Sequence, residues 1–122
     1  MDDKIIYNYI NGELKEPVSG NYIDVFNPAT GKVYAQLPDS DAQDIKLAVE
    51  ASENAFPSWS TYTVEKRSAI LLKIASAIED NLDQLALAES IDNGKPLKLA
   101  KTVDIPRAAN NFHFFATAIL HF

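Results

Sequence analysis

The sequence predicts a mixed α/β fold: an antiparallel β-ribbon of two hairpins over residues 1–38, followed by a helical portion over 39–122 with about five α-helices. Two turn sequences, Asn11-Gly12 and Asn27-Pro28-Ala29-Thr30-Gly31, are set between runs of β-branched and aromatic residues. At Pro38 the apolar spacing changes from about two to about 3.6, and helical spacing then continues to the last residue.

Ile6 to Ile10 reads as the first strand, Asn11-Gly12 as a type I′ turn whose residues accept positive φ, and Glu13-Leu14 as the return. Tyr22 to Phe26 and Val33 to Leu37 form the second hairpin, in which Pro28 presets a type I turn that Gly31 closes. Ser40 with Gln43 fits a capping box for the first helix, which carries Ile45, Ala48, Val49, Ser52, Ala55 and Phe56 on one face and stops at Pro57. The second helix begins near Thr63. Asn81 with Gln84 suits a cap for the third, which Gly94 and Pro96 end. Asp104 suits a cap for the last helix, with Pro106 in its first turn. Its stripe of Ile105, Ala108, Ala109, Phe112, Phe115, Ala116 and Ile119 is still running at Phe122, a pattern that predicts a piece cut from a larger polypeptide.

Composition narrows the function classes. With 47% apolar and 23% charged residues, the chain is expected to build a core, and its net charge of -6 disfavours phosphate backbones and anionic membranes as partners. No apolar run approaches the ~20 residues that span a bilayer, and Met1-Asp2-Asp3-Lys4 has acid where a secretory signal carries base, so a cytoplasmic location is expected. The absence of cysteine rules out disulfides, thiolate-bound zinc and a cysteine nucleophile in these residues.

Gly94-Lys95 lacks the upstream glycine and following hydroxyl of a phosphate loop, and the four glycines at 12, 20, 31 and 94 form no dinucleotide fingerprint. His113 and His121 bring no other metal-ligand pattern with them. Two charged residues stand out. Asp92 is placed at a helix C-terminus, where an anion meets the negative dipole end, and Lys95 suits it as a partner. Arg107 is placed in the first turn of the last helix, where its charge opposes the dipole; it either pairs with Asp104 or awaits an anion.

Asn27-Pro28-Ala29-Thr30-Gly31-Lys32, Asp92-Asn93-Gly94-Lys95-Pro96 and Asp104-Ile105-Pro106-Arg107 resemble, in order and separation, the opening segment of the NAD(P)-dependent aldehyde dehydrogenases. Asp104 to Arg107 together with Asn111 to Ala116 looks most like the 2-aminomuconate and 2-hydroxymuconate semialdehyde dehydrogenases. The resemblance implies the N-terminal part of a coenzyme-binding domain and oxidation of a carboxylated semialdehyde to the acid with NAD or NADP. It also implies that Arg107 grips the substrate carboxylate, and that a K+ or Na+ ion is held by Asp92 and the main-chain carbonyls of Val25 and Phe26. In that family a cysteine thiolate attacks the aldehyde and a glutamate activates water; neither residue, nor the nucleotide site, matches a position here, so no catalytic residue is expected in this chain and alone it is expected to be inactive. The implied partners are the remainder of the enzyme polypeptide, a small-molecule aldehyde and further copies in a homo-oligomer. The rival expectation is a small acidic interaction module that docks through its Phe-rich last helix.

Overall fold

The computed structural model describes residues 4–122, which divide between two compact units, 4–61 and 62–122.

In the first unit the strands are β1 (Lys4–Ile5), β2 (Asn8–Ile10), β3 (Glu13–Lys15), β4 (Tyr22–Asn27) and β5 (Lys32–Pro38), followed by helix α1 (Ala42–Ser60). Both expected hairpins form. β2 and β3 pair antiparallel around Asn11 and Gly12, whose φ angles of 55° and 81° are the positive pair a type I′ turn requires. β4 and β5 pair antiparallel, and the Asn27 side chain and carbonyl accept from Ala29 (2.9 Å) and Gly31 (2.8 Å) to close the turn between them. The expected first strand, Ile6 to Ile10, is shorter, Asn8–Ile10, and a strand not expected, β1, precedes it and pairs in parallel with β5, Lys4 opposite Ala35 and Ile5 opposite Gln36.

The cap of α1 lies one residue later than expected. Asp41 accepts from the Gln43 amide at 2.7 Å, and Asp44 reaches back to the Asp41 amide at 3.0 Å, completing the box. Ser40 is engaged elsewhere, exchanging hydrogen bonds of 2.8 and 3.1 Å with the Asn8 side-chain amide. Pro57 does not stop the helix, which continues to Ser60. Only one short turn follows the proline, and the Ser58, Ser60 and Thr61 hydroxyls donate to the carbonyls of Ala55, Pro57 and Ser58 at 2.8 to 3.0 Å.

The second unit is helical: α2 (Val64–Asp80), α3 (Leu82–Asn93), α4 (Leu97–Leu99), a π-turn (Ala100–Asp104) and α5 (Ile105–Ala118). Thr63 caps α2 through the Lys66 amide. Asn81 does not cap α3 with its side chain, which donates backwards to the Ala77 carbonyl at 2.8 Å. Gly94 ends α3 at φ 75°, the left-handed position that favours glycine. α5 closes at Ala118 rather than running on to Phe122; the Thr117 hydroxyl satisfies the carbonyls of His113 and Phe114 at 3.0 Å, and the Leu120 and His121 amides tighten to three-residue bonds. Ser68 and Ala75 on α2, Ala86 on α3, Ala100 in the π-turn and Ala109 and Ala116 on α5 are the buried residues of this unit. All are small, so helix backbones approach closely while larger side chains flank the seam.

Candidate functional site

Asp104 was expected to begin a helix; it lies inside one. Its backbone is right-handed helical (φ -71°, ψ -52°), and its side chain makes no capping hydrogen bond. α4, the π-turn and α5 form one continuous helical run from Leu97. The reason is Pro106. A proline within a regular helix clashes with the carbonyl four residues back and leaves it without a donor. Here the Ile105 amide instead donates to Ala100, five residues back, and this wider turn admits the ring without ending the helix.

Two consequences reach Arg107. It sits beyond the first turn of the run, so the dipole penalty inferred from a helix start does not apply. One residue inserted into a helix advances everything after it by about 100° around the axis. The π-turn therefore sets the direction in which Arg107 leaves the helix.

Arg107 is exposed, and among the described residues no carboxylate of its own unit forms an ion pair with it. The expected Asp104 partner is taken. Asp104 Oδ2 lies 2.8 Å from Lys95 Nζ, an ion-pair contact whose angle falls outside hydrogen-bond alignment. Lys95 Nζ also lies 3.5 Å from Glu89 on α3. Contact with Asp104 first, and Glu89 after it, holds the Lys95 ammonium above the ordinary lysine pKa against the opposing effect of desolvation. Lys95 is fixed from behind as well, since its carbonyl accepts from the Ser90 hydroxyl at 2.6 Å and its amide donates to Asn93 at 2.9 Å. Lys95 was expected to answer Asp92; its ion pairs are with Asp104 and Glu89.

Asp92 is exposed near the end of α3 and has an interaction of its own. Val25 and Phe26 lie on β4 of the first unit, where the ladder with β5 slips by one residue: Val25 faces Ala35, but Phe26 faces Val33. A bulge of this kind disrupts ladder hydrogen bonding locally. Among the described residues no group of three or more His, Asp or Glu side chains converges as a metal site, and no helix is long and apolar enough to cross a membrane. His113 Nε2 meets Glu79 at 3.3 Å. At the Phe-rich end of α5, Phe114 and Phe115 pack edge to face at 5.2 Å with 64% and 59% of their surface exposed.

The sequence matches the aldehyde dehydrogenase family over residues 15–122. The chain belongs to that family. A 2-aminomuconic semialdehyde dehydrogenase from Bos taurus is 46% identical over 117 residues, covering 96% of this chain and 24% of the relative. The Homo sapiens enzyme of the same name is 45% identical with the same coverage. An aldehyde dehydrogenase from Bacillus cereus, solved in complex with NAD+, is 34% identical with a TM-score of 0.90, covering 93% of this chain and 24% of that one. The chain thus spans about a quarter of the length of the aldehyde dehydrogenases it matches. Sequence reasoning missed Lys95 as the partner of Asp104, because the π-turn that brings them together leaves no mark in apolar periodicity.

Proposed function

We propose that this chain is the N-terminal part of the coenzyme-binding domain of an aldehyde dehydrogenase that oxidises a carboxylated semialdehyde to the acid with NAD or NADP, acting in the cytoplasm as a homo-oligomer. The observation that carries the substrate reading is Arg107, exposed just beyond a π-turn that aims it and unpaired within its unit. A planar guanidinium free of an internal carboxylate is suited to bind a substrate carboxylate through two parallel hydrogen bonds. The names of the relatives from Bos taurus and Homo sapiens support the same substrate class. These 122 residues hold no thiol and no glycine-rich nucleotide loop. The covalent step and hydride transfer therefore belong to other parts of the polypeptide, and the role of this segment is to hold and aim the carboxylate-binding arginine.

The test uses the complete enzyme. Arg107→Ala should lower kcat/KM for aldehydes bearing a carboxylate by roughly ten- to a hundredfold, the equivalent of one charge-assisted pair, and change neutral aldehydes little. Equal losses on both classes would refute the reading. A monovalent cation, K+ or Na+, suits a hard oxygen donor such as the Asp92 carboxylate. Asp92→Asn should abolish any difference between the melting curves of the complete enzyme in K+ and Na+ salts; an unchanged difference would remove Asp92 from the donor set.

A further inference from the structure

We propose that Lys95 is a positioning residue for substrate selection: by tying Asp104 to α3 it holds the π-turn in register and so fixes the direction of Arg107. The inference rests on the reading of Arg107 as the carboxylate-binding residue.

The geometry is local and complete within the second unit. Asp104 is the last residue of the π-turn, and Arg107 follows it by three positions, less than one helical turn. A π-turn is intrinsically less favourable than regular helix, and a helix that can shed the extra residue rotates everything beyond it by about 100°. Something must hold it. Pro106 removes the amide that would close the competing four-residue bond to Thr102, and Lys95 supplies an anchor from outside the helix, 2.8 Å from Asp104 and 3.5 Å from Glu89. Gly94 and the Ser90 bond to the Lys95 carbonyl fix the base of that side chain. The Lys95 and Asp104 side chains keep 29% and 26% of their surface exposed, so water and salt screen them less than a fully exposed pair.

A second pair offers a built-in control. Lys101, also in the π-turn, meets Asp83 on α3 at 2.8 Å, but the Asp83 side chain is 81% exposed, where ion pairs contribute little. Loss of Lys101 should leave selectivity unchanged.

The experiment compares Lys95→Met, Lys95→Arg, Asp104→Asn, Lys101→Met and Arg107→Ala in the complete enzyme, assayed on a carboxylated semialdehyde and a neutral aldehyde of similar length. A displacement of about 1 Å in a binding group costs up to a hundredfold. Lys95→Met and Asp104→Asn should therefore raise KM for the carboxylated aldehyde about tenfold or more, with kcat and the neutral aldehyde within about twofold. Lys95→Arg should restore most of the loss. Lys95→Met added to Arg107→Ala should have no further effect on the carboxylated aldehyde, and amide exchange at Ile105 and Arg107 should quicken in Lys95→Met alone. If Arg107→Ala separates the two aldehydes but Lys95→Met and Asp104→Asn slow both equally or neither, Lys95 does not position Arg107. If Arg107→Ala fails to separate them, the proposed substrate reading falls and this inference falls with it.

Discussion

Asp44 carries more of the first unit than its place on a polar helix start suggests. Its carboxylate accepts from the Asp41 amide and from the Val18 amide, both at 3.0 Å, and the residue is 4% exposed. Asp44→Ala would strand both donors, one of them a helix-start amide that no backbone carbonyl can reach. It should destabilise the protein by about 2–3 kcal/mol, read as a shift in the denaturant midpoint; a change within about 0.5 kcal/mol would show that water replaces the carboxylate at both amides. Single residues with a local conformational demand were legible in the sequence, as Asn11-Gly12 and Gly94 illustrate. The choice between Ser40 and Asp41 as the cap was not. Both begin a capping pattern, and the hydroxyl of Ser40 is claimed by Asn8, 32 residues away, which no local rule can foresee.

At the scale of elements, apolar spacing located the strands and the long helices. It failed between Leu97 and Ile105. Asp104 followed by Pro106 is a start signal in an isolated sequence, and the same pair is compatible with the inside of a helix once a π-turn has moved the opposing carbonyl away. The anchoring of that turn has a pH signature. The folded state raises the pKa of Lys95, so its contribution to stability is fully present below the ordinary lysine value of about 10.4 and is lost as pH rises through the higher folded value. In an alkaline unfolding titration, Lys95→Met should remove the part of the decline that lies above about pH 10.4. Parallel titration curves for the two proteins would mean that the ammonium holds nothing.

For the whole chain, the change from strand to helix between Pro38 and Ala42 was legible, but the grouping into compact units was not. α1 belongs with the strands because Asp44 and Ser40 bind Val18 and Asn8 across 26 and 32 residues, and side-chain bonds of that range lie outside any window of periodicity. The second unit has its own signature, five alanines with no exposed surface at 75, 86, 100, 109 and 116. Ordinary interiors are harmed by truncation. This seam has little to truncate, so its tolerance to mutation is uneven: glycine at these positions empties a single methyl and costs about 1 kcal/mol of helix propensity, whereas valine or leucine overpacks the seam at about 1–3 kcal/mol each. A saturation scan scored by solubility should therefore penalise bulk there more heavily than polarity of equal size, with serine outperforming valine. The reverse ranking would mean that the helices part easily to admit a larger neighbour.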